Sequence, residues 1–366
     1  MIEEKLILFP YFGGKYRHLD IIDTLTPEHE CHVDCFAGSC SLTLSKARSK
    51  KEVINDLDPL IHNLLLVLQN PRMFKLLHKE LLKTEVNSGE YFLYSEEIIS
   101  MQKKDPTGLK GMLEGLIKKY GPIEMARIYY YIQRCGFKGR AISIDRSKVR
   151  SPGFKNAVEK LPKIHSRLQG VDIEKLWWRD LVEEYKKKAN VWFYFDPPYH
   201  PETRNKSEQK RKVKEIIDDY HCELSNYHHN NLIAYVMREG RKGTRFLISG
   251  YEAKAYKNSL SLSWNKAVIP TVNNAHVAKQ GESAPVSDDF LWFNYDMSEK
   301  KLAKLKKLLI SRYVKTRIKL ALQNGDKPAK ILADLRGWNN KNTYDLKPFI
   351  FKTDKEIVAF LKQHVS

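Results

Sequence analysis

Two hydrophobic rhythms divide the chain. Residues 31–36 read as a strand, "AGSC" as a tight turn, "SLTLSKARS" as a helix and "EVINDLD" as the next strand, a parallel βαβ pattern. Farther on, "VWFYF" (191–195) and "RFLIS" (245–249) are short apolar runs bounded by polar or turn residues, as expected of strands buried on both faces. "SLSLSWNKAVI" and "DFLWFNYD" predict a late antiparallel pair. The class that follows is α/β.

Between these strands the rhythm turns helical. Residues 75–165 carry "MFKLLHKELLKTE" and "IEMARIYYYIQR", then the Gly- and Arg/Lys-rich "CGFKGRAISIDRSKVRSPGF", and read as an insertion rather than sheet core. After Asp296 a long basic helix is predicted, with Leu302, Leu305, Leu309 and Tyr313 on its apolar stripe and its lysines facing solvent or nucleic acid. Helix, glycine turn and helix are predicted across "PAKILADLRGWNNKNTYDLKPFI", which is open to a helix-turn-helix contact with DNA or to packing. Thr353 and Glu356 form a capping box in "TDKEIVAF". The expected division is 1–74 and 166–297 for a catalytic domain in two halves, 75–165 for the insertion and 298–366 for a helical C-terminal extension.

Charge adds a partner. The 366 residues hold 63 Lys and Arg against 44 Asp and Glu, a net +19, so nucleic acid is the first ligand to expect. The five cysteines lack framework spacing and the first residues are acidic, so a reduced, cytoplasmic protein is expected. No apolar run approaches the roughly 20 residues that span a bilayer. "CHVDCFAGSC" offers Cys31, His32, Cys35 and Cys40, but no paired C-x-x-C spacing, so packing is favoured over a metal and none is expected.

The candidate chemistry lies at the predicted strand ends. Asp34 leads into a small-residue turn in which Gly38 lets a ligand approach the backbone. Asp56 ends the next strand, where an acid can bond ribose hydroxyls. An adenosine-containing cofactor is indicated, but the turn lacks the glycines of a dinucleotide fingerprint. "PYFGGKY" lacks the first glycine and the hydroxyl of a phosphate loop, so Lys15 is read as a cation for a carboxylate. In "FDPPY", Asp196 and the Pro197 carbonyl can accept from an exocyclic amine, whose lone pair is otherwise delocalised into its ring. Pro197 and Pro198 fix the backbone, and Tyr199 can stack on a base.

"PYFGGK", "DCFAGSC", "NDLD" and "FDPPY", in that order, resemble the Dam-type alpha group of DNA adenine-N6 methyltransferases, over about residues 8–296. The resemblance implies a Rossmann-like methyltransferase sheet with an inserted, mainly helical target-recognition domain. It implies S-adenosyl-L-methionine as cofactor, with Tyr11, Lys15, Asp34, Phe36, Gly38, Asp56 and Asp196 around it. It further implies that Asp196, Pro197, Pro198 and Tyr199 act on an adenine flipped from duplex DNA. Cys40 departs from the family's frequent second glycine, and Tyr11 replaces a tryptophan found in some members. For DNA recognition Arg134, Phe137, Lys138 and Arg140 are the candidates, since arginine can read guanine bidentately. Duplex DNA is the implied partner, and a companion restriction endonuclease is compatible with it. The alternatives are an RNA adenine or cytosine-N4 methyltransferase, or a catalytically silent DNA-binding subunit.

Overall fold

The computed structural model describes residues 2, 4–11, 13–105, 110–136, 144, 153–203, 222–272 and 286–344. The chain divides into two compact units, residues 1–19 with 28–228, and residues 20–27 with 229–366.

In the first unit β1 (Cys31–Asp34), β2 (Lys51–Asn55), β3 (Asp172–Glu174) and β4 (Val191–Phe195) form parallel ladders in the order β3-β2-β1-β4. Every residue of β1 and β4 is buried: β4 is apolar throughout, as burial on both faces predicts, whereas β1 alternates Cys31 and Val33 with His32 and Asp34, both also buried. Asp34 lies opposite Ile54 of β2 and Tyr194 of β4. Because the strands are parallel and in this register, Asp34 and the residues just past β2 and β4, Asp56 and Asp196, emerge on one carboxyl edge.

The helix α1 after β1 is shorter than its sequence pattern predicts, covering only Ser41–Ser45. Lys46 turns extended, and its buried ammonium reaches Ser49 at 2.7 Å and Glu52 at 3.2 Å, contacts that a continued helix would forgo.

Between β2 and β3 the chain is helical, as the apolar spacing predicts: α2 (Pro59–Gln69), α3 (Pro71–Lys83), α4 (Ser88–Lys104), α5 (Met112–Tyr120) and α6 (Pro122–Cys135), then α7 (Gly153–Val158) and α8 (Leu161–Leu168). Local chemistry sets the starts. Asp58, Asn70 and Asn87 cap α2, α3 and α4 through their side chains, and α2, α3 and α6 begin with proline. These helices enclose Tyr91, Tyr129, Tyr130 and Tyr131, all at most 1% exposed. Tyr131 Oη donates to Asn87 O at 2.7 Å and accepts from Asn87 N at 2.9 Å, tying α6 to the start of α4. α9 (Trp178–Tyr185) leads into β4.

In the second unit β5 (Arg245–Gly250), β6 (Asn265–Val272) and β7 (Val286–Phe293) pair antiparallel in the order β5-β7-β6. The late pair is therefore present, but "LSLS" folds as a short helix, Leu260–Ser263, and the strand starts at Asn265. α10 (Glu299–Tyr313) continues through a π turn, Val314–Ile318, and α-helical residues Lys319–Gln323. Leu305, Leu309 and Tyr313 are buried and Leu302 is half-buried, as the spacing predicts.

α11 (Pro328–Asn339) runs unbroken through Gly337, where the sequence suggested a turn; that glycine does not adopt the positive φ that would have broken the helix. The segment through residue 343 packs on β6. Trp338 donates its indole N–H to Val268 O at 3.1 Å and lies 4.6 Å from the Tyr313 ring. Asn342 and Thr343 bond the β6 backbone, accepting from Val268 N and Lys266 N at 2.8 Å, so the strand's outer edge is covered. "TDKEIVAF" lies outside the described residues.

Candidate active site

The carboxyl edge of the first unit's strands opens into a cleft of about 950 Å³, counting space open to solvent. Tyr11, Lys15, Asp34, Phe36, Gly38 and Asp56 line it, as do Asp196 and Pro198. Ligands of open α/β sheets bind at such edges. Pro197 and Tyr199 of the same quartet are not in its lining.

Asp34 is 2% exposed. Its Oδ2 accepts from Thr43 Oγ1 at 3.0 Å, while Oδ1 is buried without a hydrogen-bond partner among the described residues. Burial pushes its pKa up to about 7, opposed by the Thr43 bond and reinforced by the carboxylates of Asp196 and Asp56.

The turn that follows is held by backbone. Ala37 N donates to Asn55 O at 3.0 Å and Cys40 N to Ala37 O at 2.7 Å. Gly38 has φ +50°, and a Cβ there would sit 2.9 Å from two ring carbons of Tyr11. Glycine thus serves both the left-handed backbone and the close approach of Tyr11. Cys40 also takes a left-handed conformation, φ 56°, at the start of α1. A side chain there costs about 1 to 2 kcal/mol relative to right-handed backbone. Its thiol points back to Gly38 O at 3.6 Å, inside the turn.

Asp56 is engaged on both oxygens by backbone amides, Oδ2 from Gly38 N at 2.8 Å and Oδ1 from Asp58 N at 2.9 Å. It therefore shapes the glycine turn as well as facing the cleft, a structural role the sequence pattern did not suggest.

Lys15 opens a short 3-10 turn, Lys15–His18, and is 4% exposed. Its ammonium meets Asp196 Oδ1 at 2.6 Å, Gly13 O at 2.9 Å and Tyr199 Oη at 3.4 Å, and sits 5.1 Å from the Tyr199 ring centre. The carboxylate that Lys15 meets is thus one of the protein's own, Asp196. Pro197 and Pro198 are buried behind Asp196, and Tyr199 is half-buried. Phe36 packs at 5.6 Å, tilted, on Phe195, the last residue of β4.

Sequence reasoning missed several cleft residues. Asp58, 2% exposed, lines the cleft while capping α2 through Leu60 N; the signal available was an acid directly before Pro59. Trp177 and Trp178 also line it, brought there by Leu176, whose N and O both bond the Asn55 side chain. Cys222 and Glu223 line it as well. Of the proposed DNA contacts, Arg134 lies half-buried in the last turn of α6, and Phe137, Lys138 and Arg140 lie outside the described residues.

The model of the D12 class N6 adenine-specific DNA methyltransferases matches residues 11–267. The chain belongs to this family. The match takes in the whole lining of the cleft and the strands that carry it, so the Rossmann-like sheet, enzymatic activity and action on adenine in DNA follow from membership. RNA, cytosine and silent-subunit readings are not favoured. A comparison with individually curated proteins returned no match. No helix among the described residues is long and apolar enough to cross a membrane, and no group of three or more described His, Cys, Asp or Glu is arranged to hold a metal ion.

Proposed function

We propose that this D12-class methyltransferase moves a methyl group from S-adenosyl-L-methionine to N6 of an adenine rotated out of duplex DNA, with Asp196 as the group that holds the amine. The observation that carries the reading is the convergence, in one cleft, of Asp34, Asp56 and the Lys15–Asp196 pair.

The cleft suits that cofactor chemically. It needs an acceptor for an ammonium, and Asp34 Oδ1 is a buried carboxylate oxygen without a partner among the described residues. A nucleoside needs acceptors for its ribose and a flat apolar surface, which Asp56 and the aromatic rings of Phe36 and Trp177 supply. Bound there, S-adenosyl-L-methionine would supply an electrophilic methyl group on a sulfonium.

The protein's part is to prepare the nucleophile. An N6 amine is planar and poor as a nucleophile because its lone pair belongs to the ring. A carboxylate at 196 accepts one N–H and the Pro197 carbonyl the other, which favours the positive charge that grows on nitrogen as its lone pair leaves conjugation. Lys15 donates to Asp196 Oδ1 and so orients the carboxylate toward the amine it is to hold. Tyr199 offers a face for the adenine ring, a contact worth about 1 to 3 kcal/mol in single-stranded binding. Extrusion of the base is required because its amine is otherwise enclosed by stacking and pairing.

The test is transfer of labelled methyl from S-adenosyl-L-methionine to plasmid DNA and to total RNA, followed by nucleoside analysis. N6-methyladenine in DNA is the expected product. Label confined to RNA or to cytosine would sink the reading.

A further inference from the structure

We propose that the exposed lysine row of α10 and its continuation, Lys300, Lys304, Lys307, Lys315 and Lys319, is a contact surface for the phosphate backbone of duplex DNA. The row lies wholly beyond the family-matched residues 11–267.

All five side chains are exposed. At about 100° per residue, Lys300, Lys304 and Lys307 fall within a sector of roughly 60°, opposite the buried Leu305, Leu309 and Tyr313. Uninterrupted α-helix would carry Lys319 about 100° away from Lys300. The π turn at Val314–Ile318 takes up about one residue of that rotation, so Lys319 returns toward the row, while Val314 and Ile318 stay buried. The result is a line of cations about 28 Å long at 1.5 Å per residue, the length of roughly eight steps of duplex at 3.4 Å each.

The five ammonium groups are also uncommitted. Among the described residues none of them forms an ion pair, whereas Arg312 and Arg317 of the same rod are held by Asp20 and Asp288. Five like charges on one face repel, and a polyanion relieves that repulsion while releasing its own condensed counterions. An anionic membrane would also attract them, but a helix that lies in a membrane inserts an apolar face, and this one is buried in the second unit. The row carries no base-reading geometry, so it adds affinity for any duplex sequence.

The inference rests on the chain acting on DNA. Binding of the full chain to a duplex lacking any preferred site is measured across salt for wild type, for the variant with all five lysines changed to Gln, and for the variant with all five changed to Arg. The Gln variant should show a slope of log K against log salt shallower by about two to four, and at least tenfold weaker binding near 0.15 M salt. The Arg variant should keep the wild-type slope. A control with Gln at the exposed Lys50, Lys187, Lys188, Lys257 and Lys330 loses the same charge and should change the slope by less than one. If the five-site Gln variant does not fold, K300Q/K304Q/K307Q should give about half the effect. A slope unchanged from wild type, or changed equally in the control, overturns the assignment of the row alone. Wild-type protein that binds duplex RNA and no duplex DNA overturns the function on which it rests.

Discussion

Lys15 and Asp196, 181 positions apart, meet in a close ion pair, Nζ to Oδ1 at 2.6 Å, with the lysine 4% and the aspartate 17% exposed. The pair joins the "FGGK" and "DPPY" motifs physically, so altering either residue takes a charged partner from the other. Removing one partner of a buried pair commonly costs about 3 to 5 kcal/mol. The lower end applies here, because Lys15 would retain Gly13 O and Tyr199 Oη.

Asp196→Ala should therefore abolish turnover and also lower the urea midpoint. Adding Lys15→Met should recover most of the stability and none of the activity. Equal midpoints for wild type and Asp196→Ala would show that the pair contributes nothing to the fold.

Gly38→Ala tests the turn. Its φ of +50° and the 2.9 Å approach of the Tyr11 ring oppose a side chain for separate reasons, one intrinsic to the backbone and one steric. The substitution should weaken S-adenosyl-L-methionine binding more than tenfold, read by calorimetry. Tyr11→Ala in the same chain should relieve the steric part of any loss of stability but not the backbone part. Wild-type affinity in Gly38→Ala would contradict the geometry.

The parallel strands and the acids at their ends were legible because burial on both faces leaves an apolar run whose end is marked by a polar residue; "VWFYF" before Asp196 is such a run. Partners formed at long range were not. Nothing near Asp56 in sequence says that its Oδ2 serves Gly38 N, 18 positions away, and nothing near Trp177 says that Asn55, 121 positions from Leu176, draws that loop to the cleft. Helix lengths failed where a side chain had somewhere better to go, as Lys46 did with Glu52. The π turn at Val314–Ile318 had no local signal, since its sequence is as compatible with α-helix.

Trp338 should prove the main fastening of the C-terminal extension. It is 2% exposed, lies against Tyr313 and donates to Val268 O in the strand whose edge the extension covers. Trp338→Ala should cost about 3 to 5 kcal/mol by loss of buried area and a residual cavity. Because β6 would then lose the cover of Asn342 and Thr343, the variant should also aggregate on warming. Melting followed by light scattering checks both, and a melting temperature within a degree of wild type would show that the extension is held elsewhere.

Asp34 gives the protein a pH dependence whose sign is unusual for a carboxyl group. Its pKa in the fold, about 7, stands above the ordinary 3.8 because burial, then its acidic neighbours, disfavour the charged form. The native state therefore binds more protons than the unfolded chain between about pH 4 and 7, and stability contributed by the neutral group is lost as pH rises through that window. Asp34→Asn, which is neutral throughout, should gain stability relative to wild type from pH 4 to 7 and hold that gain above. The difference is at most about 4 kcal/mol at 1.36 kcal/mol per unit. A cation bound at Oδ1 reverses the preference, so binding of S-adenosyl-L-methionine near pH 6.5, where a group of pKa about 7 is roughly three-quarters protonated, should expel about that fraction of a proton. Calorimetry in buffers of different ionisation enthalpy reads that number directly, with Lys46, Asp56 and Asp196 as the charged groups acting on Asp34. Asp34→Asn should bind more weakly and release none; a proton release that persists in this variant would assign the titration to another group.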